Sequence, residues 1–301
     1  MKLEFLLCGS PTDGFFSQMA FFRLCLDALG GDEARARLVC TFGDHTVEDI
    51  PARWQPYFER IEVHWAHAPG APNPAHMHQH EMRFDLLDPT ADLSVLCDAD
   101  VAVLAPVGPM ARELLAEQAL GGVIAHFHFP WEGREKDALR DWPEIARAVL
   151  GRDIATPYRY TLVPQEDPPE APFYINYGMF AGPPAQLAAF HAHDLQLRPR
   201  VAAQLGDWWA PQVSLALTCI DLGLPVQPFW HTEGPPGLAF DLLSSYSERE
   251  RVTIGHAGGV ITIDLVESLD AYRESLRVRL GEPYRTMLGH FRHEVGHYYQ
   301  H

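Results

Sequence analysis

Two acidic side chains one residue apart, Asp98 and Asp100, interrupt an apolar run, LSVLCDADVAVLAP, that reads as a buried β-strand. Residues two apart on a strand share a face, so both carboxylates are expected to aim at one spot while Ala99 points away. Adjacent carboxylates repel and are costly to bury without a cation. Hard oxygen ligands suit a divalent ion such as Mg²⁺ or Mn²⁺. A solvated strand end, or a cap on the next element, explains the same pair, and an isolated Asp-x-Asp does not decide between these readings. A second pattern, His293-Glu294-Val295-Gly296-His297, places two histidines four residues apart. On a helix they share a face and can hold Zn²⁺ while the glutamate activates water.

That second pattern is incomplete by itself, because a catalytic zinc normally has three protein ligands and a water. His301 lies eight residues beyond His293, about 12 Å along a helix axis, too far to share the ion. His290 precedes the pair on the same face, and His256 is an upstream candidate. The alternative is a truncated remnant folded as a terminal helix, with Met287, Phe291, Tyr298 and Tyr299 packed down and the histidine face solvated.

The elements that must position these groups follow from periodicity. Residues 3–8, 36–43, 61–67 and 121–129 read as strands, and 15–29, 80–87 and 108–119 as helices, the first closed by Gly30-Gly31. This alternation predicts an α/β sheet covered on both faces. Further on, 151–172 reads as a long loop, 173–183 as a strand running into a turn, 185–196 and 210–222 as helices, and 225–230 as a short strand. HTEGPPGLAF, which follows, reads as loop. No internal repeat or long charge run is present.

Composition narrows the function classes. With 301 residues and 47% hydrophobic content, the chain can bury a sizeable core. A net charge of −17 argues against a non-specific grip on nucleic acid or an anionic membrane. An anionic ligand would need a local Arg or metal site. Cys8, Cys25, Cys40, Cys97 and Cys219 are scattered, as expected of buried thiols in a reducing compartment. Glu4 and Gly-Ser-Pro make the N-terminus a poor signal peptide. No run approaches the roughly 18 apolar residues of a membrane span. A soluble, cytoplasmic protein is the expectation.

Four stretches, taken in order, resemble the nucleotide-sugar glycosyltransferases of the GT-A fold, in particular the glycogenin-like and lipopolysaccharide galactosyltransferase-like group. They are LLCGSPTDGFFSQ, MRFDLLDPTADLSVLCDADVAVL, YINYGMFAG and WWAPQVSLALTCIDLGLPVQPFW, spanning roughly residues 3–232. The resemblance implies that Asp98 and Asp100 hold a metal on the donor diphosphate. It places Cys8, Gly9, Ser10 and Asp13 around the nucleoside and Arg83 against the donor. Asn176 would bind sugar hydroxyls with Gly178 leaving space beside it, and Gln212 would face the donor sugar or acceptor. A late His followed by Gly completes the metal site in that family; His256 in IGHAGG fits loosely, and His231 is a second candidate. Local structural roles account as well for Arg83 as a surface charge, Gly9 as a turn, Asn176 in a strand and Gln212 on a solvated face. Trp208 and Trp209 could stack on a sugar or pack in the core, and His126 and His128 could face the cleft. The family retains anomeric configuration; an inverting enzyme would need a carboxylate base, for which Asp207 and Glu233 are candidates.

The last stretch, residues 255–299, resembles the segment leading into the active-site helix of a family of bacterial zinc metallopeptidases. The combined expectation is an α/β protein of GT-A type, with a mixed, mostly parallel sheet flanked by helices over 1–250 and a C-terminal helical extension over 251–301. Its expected function is sugar transfer from a nucleotide-sugar, a UDP-sugar, with Mn²⁺ or Mg²⁺, to a carbohydrate or other hydroxyl acceptor. The alternatives are a zinc peptidase using His293 and His297, or a non-catalytic nucleotide-binding relative, the latter kept open because lysine occurs only at positions 2 and 136.

Overall fold

The computed structural model describes residues 1–43, 49–66, 74–123, 141–159, 170–176, 178–207 and 209–229, with the backbone alone at 74–79, 239–243, 255–257 and 260–264. Contacts divide the chain into two units, Met1–His231 and Thr232–His301; the sequence reading drew its boundary at residue 250. The elements of the first unit, in order, are β1 (Leu3–Gly9), α1 (Asp13–Leu29), α2 (Gly31–Arg35), β2 (Arg37–Phe42), α3 (Gln55–Phe58) and β3 (Glu62–Trp65). There follow α4 (Pro74–Asp85), β4 (Leu93–Asp98), α5 (Gly108–Glu117), β5 (Leu120–Val123), α6 (Trp142–Leu150), β6 (Tyr158–Arg159) and β7 (Glu170–Ala171). The unit closes with β8 (Met179–Gly182), α7 (Pro184–Leu205), α8 (Ala210–Leu222) and β9 (Val226–Phe229).

Seven strands form one sheet in the order β3-β2-β1-β4-β8-β5-β9. β1, β2, β3 and β4 run parallel, and β8 is antiparallel to both β4 and β5. β5 and β9 are parallel, so among the described strands β8 alone is reversed and the sheet is mixed but mostly parallel. Every residue of β1 is buried, as are five of the six in β4. This is the mark of strands covered on both faces. Phe5, Leu7, Val95 and Cys97 pack with Phe16, Met19, Phe22 and Leu26 of α1 on one face. Leu6, Leu96 and Phe180 pack with Ile145 of α6, Leu187 and Phe190 of α7, and Val213 and Leu217 of α8 on the other. The alternation of Phe5, Leu6 and Leu7 between the two cores is the period-two pleat made visible.

Two buried acids tie elements together. Glu4 of β1 accepts from Ser94 Oγ (2.5 Å), Arg37 Nη1 (2.8 Å) and the Asp88 backbone N–H (3.0 Å). Asp194 of α7 accepts from Ser214 Oγ of α8 (2.5 Å) and from Arg198, whose Nη1 also donates to Glu81 Oε1 of α4 (2.8 Å). One charged chain thus fixes α4, α7 and α8 to one another, and α4 and α8 both carry residues of the site described below.

Several elements differ from the sequence reading. Helix α4 begins at Pro74 rather than 80, and α7 continues through Pro199 to Leu205 rather than stopping near 196. The buried series Leu187, Phe190, Asp194, Leu197, Val201 and Leu205 keeps helical spacing past the proline. That packing outweighs the one backbone hydrogen bond a proline forfeits. Within 151–172, read as loop, β6 and β7 pair antiparallel. Residues 173–176 are irregular, so the strand expected over 173–183 is confined to β8. The expected strand over 121–129 is described only as far as Val123.

The second unit contains β10 (Ala239–Leu243), β11 (Gly255–Ala257) and β12 (Val260–Asp264) in the order β10-β12-β11. β10 and β12 are parallel, and β11 is antiparallel to β12. The stretch read as loop therefore ends in a strand from Ala239, and Gly255–Ala257 and Val260–Asp264 are strands rather than helix. Residues 265–301, on which the rest of the helical extension and the His293–His297 pattern fall, lie outside the described residues. No helix among the described residues is long and apolar enough to cross a membrane.

Candidate active site

The sheet order reverses its direction of growth between β1 and β4: β2 and β3 extend one way from β1, and β4 lies on the other side. At such a switch point the loops leaving the carboxyl ends of the strands diverge and open a crevice. Cys8 and Asp98 face each other there as register partners. A cavity of about 430 Å³ lies at this position. β1 and its following loop contribute Cys8, Gly9 and Ser10, while α1 contributes Phe15 and Gln18. Asp98, Ala99 and Asp100 come from the end of β4, and His80, Asn176 and Gln212 from α4, the segment before β8, and α8. Seven residues named from sequence therefore meet in one place: Cys8, Gly9, Ser10, Asp98, Asp100, Asn176 and Gln212.

The acidic pair reaches that cavity by a different route from the one expected. β4 ends at Asp98, and residues 99 and 100 form a turn in which the Val101 N–H approaches the Asp98 carbonyl at 3.4 Å. Residues 101–104 carry an apolar pattern but no strand. A turn, rather than a continuous pleat, brings the half-buried Asp98 and the exposed Asp100 to the same opening. Such a mouth is where paired carboxylates are affordable without full desolvation.

β8 and its approach brace this turn. The Asp98 N–H donates to the Gly178 carbonyl (3.0 Å), and the Gly178 N–H donates to Asn176 Oδ1 (2.8 Å). A methyl group at Gly178 would stand 3.0 Å from Asp98 Oδ2 and 3.3 Å from Asn176 Oδ1. A larger residue here would make both side chains shift by a few tenths of an ångström, so the glycine favours the carboxylate's observed position. Because Asn176 Oδ1 is committed to Gly178, what Asn176 can offer a ligand is its amide NH₂. Gln212 Oε1 accepts from Tyr174 O–H at 3.3 Å, so its amide NH₂ is likewise the free end. The Tyr174 hydroxyl is buried and, by desolvation, far less acidic than usual, which keeps it a donor.

On the opposite wall, the Thr12 side chain caps α1 by accepting from the Phe15 N–H (3.5 Å). Phe15 and Gln18, three apart, share one helical face; the sequence reading placed them on a helix and within the first resembling stretch but did not single them out. Asp13, expected near the nucleoside, does not line the cavity. It pairs with Arg53 and accepts from Trp54 Nε1 (3.0 Å), and those hydrogen bonds hold its carboxyl down at about 2.

Arg83 is fully buried and lies beneath the cavity rather than in it. Its Nη1 donates to the carbonyls of Cys97 (3.0 Å) and Leu6 (3.4 Å), and its Nη2 to His80 Nδ1 (2.9 Å). It braces β1, β4 and α4. His80, which no motif singled out, lies 3.2 Å from Cys8 Sγ through Nδ1. Burial pushes the Cys8 thiol up to about 11, with Arg83 opposing and Asp98 adding to the rise. Asp207 is exposed and outside the cavity lining. His256 lies on β11 of the second unit. Tyr177, Trp208, His126, His128, His231, Glu233, His293 and His297 are outside the described residues.

Comparison with known proteins gives two signals. Residues 210–301 match the family described as "Putative zinc-binding metallo-peptidase". This match crosses the division between the two units, since α8 and β9 belong to the first. Curated relatives are uncharacterized proteins of Mycobacterium bovis and of two strains of Mycobacterium tuberculosis, 67% identical over 63 residues. That is 21% of this chain, and the chain spans 18% of the length of those relatives. Among solved structures, the galactosyltransferase LgtC in complex with donor and acceptor sugar analogs is similar over 87% of each chain, at 12% identity and a TM-score of 0.43. The WbbM bifunctional glycosyltransferase is similar over 80% of this chain and 40% of its own, at 11% identity and a TM-score of 0.48. Mouse xyloside xylosyltransferase 1 covers 81% of this chain and 88% of its own, at 11% and 0.41.

Proposed function

We propose that the first unit is a metal-dependent glycosyltransferase that moves a sugar from a nucleotide-sugar, a UDP-sugar, to a hydroxyl acceptor. One observation carries this reading. Residues named from four separate stretches, 8–10, 98–100, 176 and 212, line a single cavity at the switch point of a mostly parallel sheet. Asp98 and Asp100 suit a hard divalent ion, Mn²⁺ or Mg²⁺, because both are carboxylates at one opening. Such an ion, when bound, offsets the charge on a departing nucleoside diphosphate. The remaining work belongs to the chain. Phe15 offers an apolar face to the nucleoside, and Gly9 and Ser10 permit close backbone approach. The amide groups of Asn176 and Gln212 would bind sugar oxygens and fix the anomeric carbon against the acceptor. Arg83 takes the role of a brace that holds β1 and β4 at their observed spacing.

Thermal unfolding tests this. UDP and Mn²⁺ together should raise the melting temperature by several degrees, and Asp98→Asn with Asp100→Asn should erase the shift. Turnover of UDP-glucose or UDP-galactose, as hydrolysis or transfer, then separates a transferase from a non-catalytic binder. No shift with either nucleotide or metal rejects the reading.

The family match over 210–301 favours a second activity for the chain's other portion, with His293 and His297 as zinc ligands and Glu294 as the base. Stoichiometric zinc lost on His293→Ala, with cleavage of a casein substrate, is the expected result; absence of cleavage with zinc bound rejects it.

A further inference from the structure

The cavity contains a second set of donor atoms of a different chemical kind. Cys8, His80 and Asp98 come from β1, α4 and β4, and one ligand atom of each lies within 4.8 Å of the others. We propose that these three side chains form a site for a borderline transition ion, Zn²⁺ or Co²⁺, with its open coordination position facing the cavity. The proposal shares Asp98 with the transferase reading and rests on this cavity holding a cation, not on any sugar donor.

Four arguments support it. First, the donor set is a thiol, an imidazole and a carboxylate. Sulfur and nitrogen favour zinc-like ions, while magnesium and calcium take oxygen alone. Second, the spacing fits. With Zn–S about 2.3 Å and Zn–N about 2.0–2.1 Å, two ligands of a tetrahedral ion sit about 3.6 Å apart. Cys8 Sγ lies 3.2 Å from His80 Nδ1, the nitrogen that would bind, so the pair need only part by a few tenths of an ångström.

Third, the ring is presented in the required form. A guanidinium only donates, so the contact of Arg83 Nη2 with His80 Nδ1 at 2.9 Å suits the tautomer that leaves Nδ1 its lone pair. An ion replaces that donor at Nδ1. Arg83 stays anchored through the Cys97 and Leu6 carbonyls. Fourth, the charges balance. Binding converts the Cys8 thiol to thiolate and releases its proton to solvent. Thiolate, Asp98 and the nearby Asp100 then offset the dication and Arg83.

Three protein ligands from a half-buried cluster leave a position open to the cavity, as in zinc sites that bind a water or substrate oxygen. A phosphate or hydroxyl oxygen entering the cavity is the class of ligand that position would take.

The test uses the full chain carrying His293→Ala and His297→Ala, so that the distal pair contributes nothing. The protein is stripped by chelation and titrated with cobalt(II) alone. The expected result is one equivalent bound, with the visible bands of a tetrahedral ion and a near-ultraviolet sulfur-to-cobalt band. Cys8→Ser should remove the sulfur band. His80→Ala should weaken cobalt binding at least about tenfold, and Asp100→Asn should preserve the band. No uptake, uptake without the sulfur band, or a band unchanged in His80→Ala overturns the proposal. If Cys8→Ser fails to fold, the wild-type band and the His80→Ala titration still decide. Stabilisation by UDP with Mn²⁺ is measured alongside: a normal Mn²⁺–UDP shift without any sulfur band rejects the cobalt site alone, and a sulfur band without the shift rejects the transferase reading alone.

Discussion

Gly178 shows how little space separates the acidic pair from its support. Adding one methyl group would press on Asp98 Oδ2 at 3.0 Å and Asn176 Oδ1 at 3.3 Å. Both atoms belong to side chains, so they can yield by a few tenths of an ångström, but each would leave its position at the cavity. Gly178→Ala is expected to cost about 1–3 kcal/mol of stability by overpacking, read from urea unfolding. It should also reduce the Mn²⁺–UDP melting shift by more than that stability loss accounts for. A full shift in a folded variant would show that Asp98 need not sit where it does. This residue scale is also where the sequence was most informative. Asp98 and Asp100 were legible because carboxylates set in an apolar run are costly unless they have a purpose or a partner, whereas Cys8, Asn176 and Gln212 came only from the family resemblance. His80 was not legible: it sits in the polar run HMHQHEMRF, and its contact with Cys8 spans 72 positions. Its spacing of three from Arg83 placed both on one helical face, a signal that becomes useful only once Arg83 is known to be buried.

Helices α4, α7 and α8 act as one support. Phe84 of α4 stacks on His191 of α7, with ring centroids 4.3 Å apart and an interplanar angle of 1°. Burial, reinforced by Arg198, lowers the His191 pKa below its ordinary value, while Asp194, Glu81 and Asp85 oppose the shift. Its Nδ1 is buried without a hydrogen-bond partner. A histidine whose folded pKa is lowered binds its proton first in the unfolded chain. The stability it permits is therefore present above the unfolded value, about 6.5, and is lost as pH falls toward the folded value. His191→Phe should flatten this acid-side decline: between about pH 7.5 and about pH 5.5 its urea midpoint should fall less than that of the wild type. An equal fall would assign the acid sensitivity elsewhere. The sequence placed all three helices, and α8 with both its ends, but not the start of α4 or the end of α7. Period-3.6 patterning marks a buried face well, whereas the polar first turns of α4 and Pro199 in α7 hide how far a packed helix extends.

At the scale of the whole molecule, charge sets a condition on every anionic ligand. With Asp and Glu at 40 and Lys and Arg at 23, the chain carries −17 at neutral pH. Among the described residues, the arginine that braces the cavity, Arg83, is buried beneath it and directs donors to carbonyls and His80. A nucleoside diphosphate thus approaches against the protein's field, while a divalent cation approaches with it. Salt screens both effects: raising ionic strength from about 0.01 M to about 0.15 M shortens the Debye length from about 30 Å to about 8 Å. Two slopes of opposite sign follow. Mn²⁺ measured without nucleotide should bind several-fold more weakly at the higher salt, and UDP measured without metal should bind more tightly. Calorimetric titrations of each ligand at the two salt concentrations give both slopes. If UDP also weakens with salt, a basic surface outside the described residues must face the cavity, and the acidic pair would no longer need a cation to receive a diphosphate.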